Sequence, residues 1–77
     1  MNAVQLKMAR VALGLTVRQA AEVGGVSHDT ITRMEAGEIL KASTIEKVRT
    51  AMESAGVEFI AECDGRGVGV RFKQSKA

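Results

Sequence analysis

Residues 24–38 read GGVSHDTITRMEAGE and bring His28, Asp29 and Arg33 within six positions of one another. An imidazole, a carboxylate and a guanidinium this close could form an acid–base cluster, a metal site, a solvated face, or a surface that recognises another molecule. The first two fare poorly. The chain has one histidine and one cysteine, Cys63. No Cys/His/acid group has zinc spacing, no Ser-His-acid layout is present, and no glycine-rich loop is arranged to cradle phosphate. The expectation is a protein that is not an enzyme, with no cofactor and no metal.

The elements that must position these residues explain their company. At 100° per residue, Thr30, Ile31 and Met34 fall on one side of a helix that Ser27 caps and Gly37 follows. His28, Asp29, Thr32 and Arg33 fall on the opposite arc. A preceding helix runs Val17–Val23. Thr16 is its N-cap, Gln19 completes a capping box, and Gly24 or Gly25 ends it in the left-handed conformation. Two helices joined by a tight glycine-containing turn form a helix-turn-helix, whose second member enters the DNA major groove.

Further helices flank this pair. Residues 3–13, AVQLKMARVAL, have Leu6, Ala9 and Leu13 at helical spacing, with Gly14 to close the element. Ser43-Thr44-Ile45-Glu46 has the form of a capping box. It opens a fourth helix with Ile45, Val48 and Met52 inward and Gly56 at its end. The pattern then becomes β-like at residues 57–61 and 68–72, separated by the glycine-rich loop 62–67. Val68, Val70 and Phe72 alternate with Gly69, Arg71 and Lys73. The expected fold is mainly α: a four-helix domain over residues 1–56, followed by a C-terminal β-hairpin arm over residues 57–77.

Seventy-seven residues, 45% of them hydrophobic and 26% charged, suit one small globular domain. A chain of this size buries only about 60% of its unfolded surface. One cysteine permits no internal disulfide, so a second copy of the chain is the remaining source of stability. A lone hairpin is marginal in water. Two hairpins could cover each other through Val57, Phe59, Val68, Val70 and Phe72, which makes a homodimer the expected assembly; packing on the chain's own helices is the simpler alternative. No apolar run reaches the ~20 residues of a membrane span, and no signal-peptide layout is seen, so the expectation is a cytoplasmic protein without a membrane partner. Net charge is +2. All nine acids lie between Glu22 and Asp64, leaving basic ends with Lys7, Arg10 and Arg18 on one side and Arg66, Arg71, Lys73 and Lys76 on the other. That layout permits an anionic partner and equally suits ordinary solubility.

Residues 15–38, LTVRQAAEVGGVSHDTITRMEAGE, resemble the helix-turn-helix of the lambda-repressor-like, Cro/cI (XRE) family. Leu15, Thr16, Ala21, Gly25, Val26, Ser27, Thr30, Ile31, Glu35 and Gly37 match its pattern, and Thr32 is a near match. With the first and fourth helices, the resemblance covers residues 3–55. It implies that Arg10, at a basic position of the first helix, pairs with Glu35. Val17 stands where the family carries a glutamine that often touches phosphate, and Ala20 where it carries a leucine. The hairpin replaces the fifth helix of some members and resembles the dimerisation arm of small Cro-type proteins.

On this reading Arg33 donates to guanine O6 and N7 or to a phosphate, and His28 to a guanine or a phosphate. Thr32 meets a thymine methyl or a phosphate. Asp29 accepts from cytosine N4, or simply stabilises the first turn against the helix dipole. Thr16, Arg18, Gln19 and Ser27, with Lys41, Ser43 and Thr44 at the start of the fourth helix, are the candidate phosphate contacts. The expected function is a sequence-specific transcription regulator. It acts as a repressor by occupancy, binding an inverted repeat of double-stranded DNA as a homodimer. The competing reading is an interaction module, an antitoxin or antiactivator, whose main task is to mask a partner protein.

Overall fold

The first helix, α1 (Ala3–Ala12), starts at Asn2, whose side chain accepts from the Gln5 backbone N–H while the Gln5 side chain accepts from the Asn2 N–H. This reciprocal pair satisfies two helix-terminal donors at once. In the computed structural model residues 1–74 are described; Lys76, counted above among the basic C-terminal residues, lies outside them. The order is α1, α2 (Val17–Gly24), α3 (His28–Glu35), α4 (Ala42–Ser54), β1 (Val57–Ile60) and β2 (Gly69–Phe72). The mainly α fold with a C-terminal hairpin is therefore the one the sequence pattern predicts.

Each helix turns one apolar side inward. Leu6 and Ala9 of α1, Ala20 and Ala21 of α2, Ile31 and Met34 of α3, and Val48 and Met52 of α4 meet in one buried cluster, which Val57 of β1 completes. Helix α1 packs against α3, α4 and both strands, while α2 packs against α3 and α4. Leu13 and Ile45 join the edge of this cluster half-buried.

Two local expectations change. Helix α4 has no capping box at Ser43. Its N-cap is Lys41, which makes no side-chain cap, and the Lys41 carbonyl accepts from the Thr44 and Ile45 N–H groups at 3.0 and 3.1 Å. Ala42 is a strong helix former and extends the helix ahead of Ser43, so Ser43 lies inside the first turn and not at its boundary. The hairpin strands are also each one residue shorter than expected, so the glycine-rich connection spans residues 61–68, with a tight turn tied at its tip. Cys63 and Arg66 exchange backbone hydrogen bonds at 3.1 and 2.9 Å around Asp64 and Gly65. Both central residues have positive φ, 52° and 75°, as a two-residue hairpin turn with the strand's right-handed twist demands.

Strands β1 and β2 pair antiparallel with Val57 opposite Phe72, Glu58 opposite Arg71, Phe59 opposite Val70 and Ile60 opposite Gly69. Val57 is fully buried by its own chain, and Phe59, Val70 and Phe72 pack half-buried against the helical cluster. The buried Gln5 fastens the hairpin to α1: its side-chain amide donates to the carbonyls of Ile60 at 3.0 Å and Gly69 at 3.1 Å. A buried amide with both hydrogens satisfied holds the strands at a set distance from the helix.

Candidate nucleic-acid interface

The turn between α2 and α3 sets everything that follows. Gly24 closes α2 while buried near Val48, and Gly25 takes the left-handed conformation at φ 67°, ψ 33°. The N–H groups of Gly25 and Val26 donate to the Glu22 and Ala21 carbonyls at 3.2 and 3.0 Å, tying off the C-terminus of α2. Lys47 of α4 donates its Nζ to the Gly25 carbonyl at 2.9 Å, so the fourth helix braces the turn. Ser27 then starts α3: its Oγ accepts from the Thr30 N–H at 3.1 Å and shares a 2.8 Å hydrogen bond with the Thr30 hydroxyl.

Helix α3 is divided lengthwise. Ile31 and Met34 are buried, Thr30 is half-buried, and His28, Asp29, Thr32 and Arg33 are exposed on the other face. The Thr32 hydroxyl donates to the His28 carbonyl at 3.2 Å. The Arg33 guanidinium stands between two carboxylates. Its Nε donates to Glu38 Oε1 at 3.1 Å, and its Nη1 is 4.0 Å from Asp29 Oδ2.

The back of α3 is fastened to α1. Arg10 donates from Nε to Glu35 Oε2 at 2.7 Å and from Nη2 to Oε1 at 3.2 Å, a bidentate pair, while its Nη1 donates to the Leu15 carbonyl at 3.1 Å. The hydrogen bond to Glu35 raises the Arg10 pKa above its ordinary value, against the opposing effect of burial. One guanidinium thereby links α1, the end of α3 and the segment entering α2.

The candidate phosphate contacts lie at helix starts: Ser27 caps α3, and the others stand at the beginnings of α2 and α4. At the start of α2, Thr16 and Gln19 form the capping box, with the Gln19 N–H donating to Thr16 Oγ1 at 3.1 Å and the Thr16 N–H to Gln19 Oε1 at 2.9 Å. Among the described residues the Gln19 amide nitrogen donates to no side chain or carbonyl. Arg18 beside them is exposed. Lys41 and Ser43 are exposed at the start of α4, with Thr44 half-buried behind. Among the described residues neither Arg18 nor Lys41 has a side-chain ion pair. Val17, where the resemblance expects glutamine, packs half-buried against the core, and Ala20 is fully buried.

Four contributing residues are absent from the sequence-based set. Asn2 and Gln5 were legible, because Asn followed three positions later by Gln is a capping-box spacing. Lys47 and Glu38 were not: each acts across a fold contact, and Glu38 meets Arg33 only because the chain turns after Gly37. Among the described residues no group of three or more His, Cys, Asp or Glu side chains is placed to hold a metal ion. No helix is long and apolar enough to cross a membrane. A family model described as a helix-turn-helix domain matches residues 3–58. Comparison with curated proteins finds no match.

Proposed function

The chain belongs to this helix-turn-helix domain family, and from that premise we propose that it is a sequence-specific transcription regulator of the lambda-repressor-like, Cro/cI (XRE) kind. The fold supports DNA-binding regulation in general. The observation that carries the specific reading is the α3 face, where His28, Asp29, Thr32 and Arg33 are exposed together while Ile31 and Met34 anchor the opposite side. A helix held this way can present donors and acceptors to base edges in the major groove. Arg18, Lys41 and the helix starts beside them supply sequence-independent attraction to phosphate.

In this proposal the chain acts in the cytoplasm as a homodimer and represses by occupying an inverted repeat. Its half-sites lie about 10 base pairs apart, or a multiple of that. Residues 1–56 are the reading unit and residues 57–77 the pairing arm. Phe59, Val68, Val70 and Phe72 keep part of their surface exposed for a second copy, whereas Val57 is committed to its own core.

Selection of bound sequences from random duplex DNA tests the reading. It should return one symmetric site whose affinity falls steeply with salt. Return of no enriched sequence rejects it.

A second reading, a module that masks a partner protein, draws support from Val4 and Val11 on the outer side of α1. These are 62% and 63% exposed and stand beside Met8 and Val70. Retention of a specific protein by the chain, with no preference among DNA sequences, would favour that reading.

A further inference from the structure

We propose that Glu38 is a specificity-determining residue that gates Arg33, withholding its guanidinium from phosphate until a base edge takes it. The proposal rests on the DNA-reading function above.

Arg33 is the one cation on the exposed face of α3, and it sits between two carboxylates. Glu38 reaches it from beyond Gly37 with a 3.1 Å hydrogen bond, and Asp29 approaches from one turn back on the helix at 4.0 Å. The side chains of Arg33 and Glu38 are 46% and 51% exposed, so the pair is weak enough to exchange for a better partner. A phosphate is a poor one. Its negative charge meets the repulsion of both carboxylates, which a neutral base edge does not. A G·C pair supplies what the face lacks: guanine O6 and N7 accept from the guanidinium in the bidentate manner, and cytosine N4 donates to a carboxylate such as Asp29. On DNA of unrelated sequence Arg33 therefore remains with Glu38 and neutralises no phosphate. On the operator it moves to base edges.

Replacing Glu38 with glutamine removes the restraint, so Arg33 becomes a phosphate ligand on any duplex. The test compares the full chain with Glu38→Gln on two duplexes, the site selected by the parent and a scrambled version, by fluorescence anisotropy across a salt series. Glu38→Gln should bind the scrambled duplex roughly fivefold more tightly relative to the operator than the parent does. Its salt slope on scrambled DNA should steepen by about 0.9, one additional phosphate, while the operator slope stays at the parental value. Glu38→Asp, which keeps the carboxylate, should lie nearer the parent. Thermal unfolding identical to the parent's shows that the exposed substitution acts on binding and not on folding. A parental operator-to-scrambled ratio in Glu38→Gln, with both slopes changed equally or not at all, overturns the gate alone. A parent chain that selects no sequence overturns the DNA-reading function and the gate with it.

Discussion

Arg10 and Glu35, 25 residues apart in the chain, form a bidentate ion pair with side chains only 16% and 12% exposed. The pair joins α1 to the end of α3, and the remaining Arg10 donor holds the Leu15 carbonyl ahead of α2. It is the polar counterpart of the buried apolar cluster to which Leu6 of α1 and Ile31 of α3 both belong. Removing either partner leaves a partly buried charge unmatched, which costs more than the pair itself contributes. Glu35→Ala or Arg10→Ala should each destabilise the chain by about 2 kcal/mol in urea unfolding. The double replacement by apolar residues of similar size should recover part of that loss. Additive losses would mean that the two charges are independent.

Arg33→Ala should relax discrimination at one base pair and cost roughly 1–3 kcal/mol on the selected site. Binding of the parent site and all its single-base variants, measured side by side, provides the check. Unchanged affinity on every duplex would mean that α3 does not present this face to DNA.

The two adjacent glycines of the turn should respond differently to substitution. Gly25 has positive φ, so Gly25→Ala forces an L side chain into the left-handed region at a cost of about 1–2 kcal/mol. The added methyl itself meets only the flexible Lys47 side chain, at 3.2 Å. At Gly24 the backbone is helical and a Cβ would lie 3.4 Å from a Val48 methyl, so Gly24→Ala should stay within about 0.5 kcal/mol of the parent. Thermal unfolding of the pair would check the contrast; equal losses would mean that space, and not backbone conformation, governs the turn.

Pairing through the hairpin should be sensitive to Val68, which lies just outside β2 and is half-buried. Val68→Lys should shift the mass measured by light scattering from dimer to monomer while the helical signal in circular dichroism is retained. Phe59→Ala should do the same with an additional loss of stability, because Phe59 also packs on the chain's own core. A mass unchanged in both variants rejects the hairpin as the dimer surface.

Acid should loosen the cross-strand pair of Glu58 and Arg71. Hydrogen bonding to Arg71, reinforced by its charge, holds the Glu58 carboxyl below its ordinary pKa. A depressed carboxyl contributes stability above its unfolded pKa and loses it as pH falls through the folded value. Carboxyl NMR should show Glu58 titrating below the ordinary glutamate range, and Arg71→Ala should return it there. An ordinary midpoint in the parent would mean that solvent screens the pair completely.

Helical periodicity and end signals made α1 to α3 legible to within a residue. Leu6 and Ala9, Ile31 and Met34, and the caps Thr16 and Ser27 report directions and boundaries that local sterics impose. The start of α4 was misread because Ser43 and Glu46 satisfy the capping-box spacing, while Ala42 lets the helix begin earlier. The Asp64-Gly65 turn was legible in principle, since that dipeptide is a hairpin signal, and was hidden by the other glycines of the loop. The exposed arc of α3 could be drawn from 100° steps alone. The company Arg33 keeps could not.

The amino-acid order alone determined which residues share a face, because side-chain direction follows from local backbone geometry. It thereby placed His28, Asp29, Thr32 and Arg33 together and gave the hairpin its alternation. Only the tertiary structure decided what lies opposite each face. It closed the hairpin over its own helices with Val57 in the core, turned the Gln5 amide to the Ile60 and Gly69 carbonyls, and brought Lys47 to the Gly25 carbonyl and Glu38 to Arg33. Those contacts depend on how whole elements dock, a balance of many weak burial terms that no short window of sequence contains.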